Sequence, residues 1–88
     1  MEQRLSLPAR RLTPQTGTKE VVFDVKPGEQ VVVESGEMVP VDLQILEGAV
    51  DVLPWVGAAT RVRRRPGDVL VAGSRVMQGH LRGVCTWS

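Results

Sequence analysis

The chain has 88 residues, 42% hydrophobic and 24% charged, with a formal net charge of +1 and a 3% aromatic share, which leaves room for one modest core of valine and leucine and favours strands over helices. Cys85 is the single cysteine and His80 the single histidine, so neither an internal disulfide nor a Cys/His metal cluster can be assembled, and a reducing compartment is expected. No stretch approaches the roughly 20 consecutive apolar residues of a membrane span, and Met1-Glu2-Gln3-Arg4 lacks the apolar segment of a secretory signal, so no direct membrane insertion is expected of this chain.

The charges are segregated: residues 1–19 carry net +3, residues 20–51 net −7 and residues 52–88 net +5. Pairing of these blocks across the folded domain is the favoured reading, with an orienting field toward partner domains as the alternative.

Residues 1–19 contain Pro8, Pro14 and Gly17 without helical or strand periodicity and read as an extended lead-in or linker, leaving 20–88 as the domain. Val21, Phe23 and Val25 alternate with polar or less regular neighbours in the rhythm of a half-buried strand that Pro27-Gly28 ends. Gln30 to Glu34 reads as a buried strand broken by Ser35-Gly36. Val41, Leu43 and Ile45 alternate in the next, and Glu47-Gly48 turns into a short strand at Ala49 to Val52. After a loop from Pro54 to Ala59 come Thr60 to Arg64, the turn Arg65-Pro66-Gly67, a strand at Val69 to Ala72, and a closing hairpin about Gly79 feeding Leu81 to Thr86. Short, turn-bounded apolar runs predict an all-β sandwich or barrel.

A series of motifs in fixed order narrows this. Pro27-Gly28-Glu29, Ser35-Gly36-Glu37-Met38-Val39-Pro40-Val41-Asp42, Leu46-Glu47-Gly48, Val50-Asp51, Gly67-Asp68, Val71-Ala72-Gly73-Ser74 and Gly79-His80-Leu81 follow one another from residue 21 to 83. This series resembles the actuator domain of heavy-metal P-type (E1-E2) cation-transporting ATPases, with its Gly-Glu-x-Val-Pro-x-Asp-Gly, Thr-Gly-Glu, Gly-Asp and Ala-Gly-Thr patterns. The resemblance implies the small distorted jelly roll of that domain, a double-stranded β-helix-like sandwich. It implies phosphorylation and nucleotide-binding domains and membrane helices as partners, and a place on the cytoplasmic face of a membrane protein. No cofactor within the domain is implied.

The same resemblance places Val56, Gly57 and Ala58 where the family carries Thr-Gly-Glu. There the glutamate positions and activates the water that attacks an aspartyl phosphate on a separate domain. Water is a poor nucleophile unless something accepts its proton and fixes its direction, a contribution worth about 10²- to 10⁴-fold. Alanine does neither, so no catalytic residue is assigned and the loop is expected to be pseudo-catalytic. Val52, Leu53, Trp55, Val56, Ala58 and Ala59 make the whole loop apolar. Packing onto its own domain is the favoured reading, and an exposed Leu53-Pro54-Trp55-Val56 knob for a partner is the alternative.

Arg61, Arg63, Arg64 and Arg65 form the one dense basic run. On a strand Arg61, Arg63 and Arg65 share a face and, with Trp55, are the candidates for binding a partner or an anion; a charge-guarded strand edge is the competing and favoured reading. Nucleic acid is not expected as a partner, because the net charge is near zero and the chain has no Tyr and one Phe, which falls in a core-like alternation. His80 reads as a surface turn residue and Cys85 as a small apolar filler. Two functions stand open: an actuator-like domain without the dephosphorylating glutamate, or a free-standing, soluble cytoplasmic β-scaffold module that binds a protein or an anionic ligand.

Overall fold

The computed structural model describes residues 8–55 and 57–87; residues 1–7, Val56 and Ser88 lie outside the described residues. Eight strands and no helix are found there: β1 (Ala9–Thr13), β2 (Thr18–Val22), β3 (Gln30–Glu34), β4 (Asp42–Glu47), β5 (Val50–Leu53), β6 (Val62–Arg64), β7 (Val69–Leu70) and β8 (Arg75–Trp87). Every pairing is antiparallel. The protein is all-β, in the distorted jelly-roll form expected.

The long strand β8 joins the other seven. Along one edge, His80 to Val84 pairs with β3, and Arg75 is bridged to Met38. Along the other edge, Arg75 to Gly79 pairs with β5, and Arg82 to Trp87 then pairs with β4. β1 adds to β3 and β2 to β1, while β7 adds to β4 and β6 to β5. The core is rich in valine, as the composition requires: Val25, Val31, Val33, Val39, Val50, Val52 and Val76 are buried with Leu43, Ile45, Leu70, Leu81, Ala9 and Cys85. Branched side chains of this kind fit a pleated surface with few rotamers to lose.

β8 exchanges β5 for β4 at a glycine pair. Gly48 has φ +95° and Gly79 φ +90°. A Cβ on Gly48 would overlap the carbonyl oxygen of His80, and one on Gly79 would sit 2.5 Å from the carbonyl oxygen of Ala49. Two conditions are therefore imposed at once, a backbone angle that L side chains avoid and an approach that leaves no room for a side chain.

Three expectations are corrected here. The hairpin about Gly79 does not exist: Arg75–Trp87 is one strand, and the glycine marks a kink and close approach rather than a reversal. The segment expected as a lead-in contains β1 and the start of β2, which form a hairpin attached to β3. Its Ala9-Arg10-Arg11-Leu12-Thr13 sequence has no two-residue apolar period, and ion pairs hold it instead: Arg10 to Glu34 and Glu37, Arg11 to Glu20 and Glu29. Finally, β2 ends at Val22, so Phe23 is not in a core alternation; it is 67% exposed and Val21 65%, while Val25 is buried.

Replacing Gly48 or Gly79 by alanine is expected to destabilise the domain by on the order of 3 kcal/mol or more, because backbone strain and overlap add. Gly57, with φ +86° and open space where its Cβ would go, is expected to cost only about 1 kcal/mol. Urea titrations of the three variants check the order.

Candidate functional site

Five turns of the domain share one backbone frame, with glycine at the third position in positive φ and the fourth residue's amide donating to the first residue's carbonyl, the signature of a type II turn. They span Lys26 to Glu29, Glu34 to Glu37, Trp55 to Ala58, Arg65 to Asp68 and Val71 to Ser74, with closing bonds of 3.0, 3.0, 3.1, 2.9 and 3.1 Å. Their glycines, Gly28, Gly36, Gly57, Gly67 and Gly73, have φ between +86° and +95°.

What differs is the fourth residue. Glu29, Glu37 and Asp68 each turn their carboxylate back onto the amide of the turn's first residue, at 2.8 Å from Lys26, 2.7 Å from Glu34 and 2.8 Å from Arg65. This double closure is why a Gly-acid pair recurs in the sequence. Ser74 places its hydroxyl 2.7 Å from the Val71 carbonyl. Ala58 alone has nothing beyond a methyl. The Trp55–Ala58 turn, where the resemblance led one to expect Thr-Gly-Glu, thus keeps the positive-φ glycine and the closing bond and has only a methyl at its fourth position.

The loop divides into a packed root and an exposed tip. Val52 is buried, and Leu53, Pro54 and Ala58 are half-buried, but Trp55 is 64% exposed and Gly57 and Ala59 lie at the surface. The favoured packing reading therefore holds for the root and fails at Trp55. Val56 lies outside the described residues.

β6 pairs only with β5 among the described residues and is a sheet edge. Arg61, Arg63 and Arg65 are exposed, with Val62 and Arg64 half-buried between them. Arg63 is tied to Asp51 across the strands, Nε to Oδ1 at 3.1 Å, whereas Arg65 lies past β6 in the Arg65–Asp68 turn. The sequence reading missed Arg75, an exposed side chain opposite Leu53 on the loop's other flank, whose guanidinium donates to the Gly36 carbonyl at 3.0 Å. Only strand register reveals it.

Beneath the loop, two motif segments meet. Asp42 accepts from the Ala72 amide at 2.8 Å, Val39 donates to the Ser74 carbonyl at 2.7 Å, and Gly73 donates to the Val39 carbonyl at 2.9 Å. The Val39-Pro40-Val41-Asp42 and Ala72-Gly73-Ser74 motifs are one structural unit, split in sequence. The buried Ser74 hydroxyl also lies 3.1 Å from the carbonyl of Pro54, at the loop root.

The P-type ATPase actuator domain family matches residues 6–87. The chain belongs to that family. It is 36% identical to the copper-exporting P-type ATPase B of Archaeoglobus fulgidus over 62 residues, 68% of this chain and 9% of that protein. It is 28% identical to the putative cation-transporting ATPase MJ1226 of Methanocaldococcus jannaschii over 89 residues, covering 96% of this chain and 11% of the relative. The chain thus spans about a tenth of the length of these curated relatives. Crystal structures of a zinc-transporting PIB-type ATPase superpose with TM-scores of 0.79 in the E2.Pi state and 0.77 in the E2P state, over 90% and 89% of this chain and 13% of theirs, at 24% identity.

In this actuator domain the six ion pairs among the described residues all join an arginine of a basic flank to an acid of the 20–51 segment, including Arg82 to Glu47 at 2.9 Å. Pairing across the fold is how the segregated charges are used. Most of these groups are well exposed, so each pair contributes at most about 1 kcal/mol. Burial pushes the Cys85 thiol up, which suits a filler of the core.

The Glu29 carboxyl is held below its ordinary value of 4.5, first by the Lys26 amide it accepts and then by Arg11, against partial desolvation. A folded-state value below the unfolded one contributes stability that is fully present above about 4.5 and is lost as the pH falls through the depressed value. A Glu29→Gln variant is expected to melt below the parent at pH 7, with the gap closing under acid as the parent's carboxylate protonates. Thermal melts from pH 7 to 3 check this; a gap independent of pH contradicts it.

Proposed function

We propose that this domain is the actuator of a heavy-metal P-type cation-transporting ATPase or a relative of one, coupling nucleotide-driven steps to membrane helices without supplying the dephosphorylating glutamate. The observation that carries this reading is the Trp55–Ala58 turn: the closing bond and positive-φ glycine (φ +86°) that four other turns of the domain share, and alanine where three of those carry a carboxylate. Its partners are then the phosphorylation and nucleotide-binding domains and the membrane helices of the same pump, and its place is the cytoplasmic face. No helix among the described residues is long and apolar enough to cross a membrane. The copper and zinc in the relatives' names support a heavy-metal pump.

One observation favours a second reading, a free-standing module that binds a protein or an anionic ligand. Trp55 stands exposed at the tip, with Arg61 and Arg75 on the loop's flanks and Arg63 and Arg65 further along the β6 edge. Exposed tryptophan and arginine are the residue types enriched at binding hot spots.

The neighbouring coding sequence separates the two: transmembrane helices and an Asp-Lys-Thr-Gly-Thr motif downstream accompany an actuator, and their absence leaves the module. For the chemistry, a Val56→Thr, Ala58→Glu double variant is expected to shorten the life of an aspartyl phosphate on a partner phosphorylation domain by about 10²-fold relative to the parent. A variant that behaves like the parent means the loop lacks more than its carboxylate.

A further inference from the structure

The geometry points to Ser74 as the positioning residue that holds the Pro54–Ala59 loop. Its hydroxyl is buried, the residue being 1% exposed, and has one proton for two carbonyl oxygens: Val71 at 2.7 Å, inside its own turn, and Pro54 at 3.1 Å, at the loop root. The Val71–Ser74 turn is itself fixed on all sides, by the Val39 amide on the Ser74 carbonyl, the Gly73 amide on the Val39 carbonyl and the Ala72 amide on Asp42. It is a rigid seat, and the loop is fastened to it through one oxygen.

The loop has few other ties. Between the Leu53 and Val62 ladder positions, the described residues make the Trp55–Ala58 turn bond and the Pro54–Ser74 contact. The turn bond shapes the tip without saying where the tip stands. Position comes from Pro54, whose ring fixes φ and passes the orientation of its carbonyl directly to Trp55. A hydroxyl that can rotate from Pro54 to Val71 keeps its proton bonded in either position, so the cost of breaking the tie falls on the Pro54 carbonyl and is that of one ordinary hydrogen bond.

The inference rests on the actuator reading only in its choice of loop, and its test needs no phosphorylated partner, so either can fail without the other. In the full 88-residue chain carrying Trp87→Phe, Trp55 is the sole tryptophan. Amide exchange at Ala58 and Trp55 fluorescence anisotropy then report the loop, and the Val76 and Leu81 amides report the body of β8. Ser74→Ala is expected to speed exchange at Ala58 by about five- to ten-fold, the loss of one ordinary hydrogen bond, and to lower Trp55 anisotropy without changing Val76 or Leu81. Ser74→Thr, which keeps the hydroxyl, is expected to restore the parent values. If the alanine variant does not fold, Ser74→Cys, a weaker donor of similar volume, is compared with Ser74→Thr and is expected to exchange faster at Ala58 alone. An unchanged loop in Ser74→Ala, a uniform rise across β8, or a threonine variant no better than the alanine or cysteine one overturns the assignment.

Discussion

The close approach of two backbones at Gly48 and Gly79 is the constraint on which the rest of this structure depends. β8 can serve both β5 and β4 along one edge only if the chain between those strands passes against it, carbonyl to Cα, with no side chain on either side. Once that crossing is made, β3 covers the opposite edge and the remaining strands add outward. β5, placed by the crossing, sends out the Pro54–Ala59 loop on the flank opposite the Gly48 turn. The loop's location is thus a consequence of a glycine pair more than a strand away from it.

Around this frame the domain repeats one local device. A type II turn closed by a carboxylate at its fourth residue joins or ends strands at Glu29, Glu37 and Asp68, and Arg10 and Arg11 from β1 reach two of those carboxylates from opposite faces of the strand. Electrostatics and turn chemistry reinforce each other here: the acid that satisfies a backbone amide is also the acid that holds an outer strand. Individually these contacts contribute little. Their arrangement decides which segments lie next to which.

Strand existence was largely legible in the sequence because β3, β4 and β5 carry clean valine, leucine and isoleucine patterns between glycine turns. β1 was not, since Arg10 and Arg11 interrupt any apolar period and the strand is held by partners distant in sequence. Phe23 misled because alternation continues on paper past the point where β2 leaves the sheet. Gly79 misled because a glycine that permits a kink and one that permits a reversal look the same. At the candidate site, alanine in place of a carboxylate at position 58 was implied by the resemblance of the surrounding motifs to the actuator family. Ser74 beneath Pro54 and Arg75 opposite Leu53 were not, because both arise from the register of β8 against β5, which no local pattern encodes.

The turn at Ala58 shares its positive-φ glycine and its closing bond with four counterparts, three of which carry a carboxylate at the fourth residue where it carries a methyl. On the proposed reading, a turn without a carboxylate supplies no group to accept a proton from water, and the domain acts by coupling alone. The most direct measurement is the lifetime of an aspartyl phosphate on a partner phosphorylation domain with and without the parent chain added at saturating concentration. The account predicts the same lifetime in both; a shortening by the unmodified chain would contradict it.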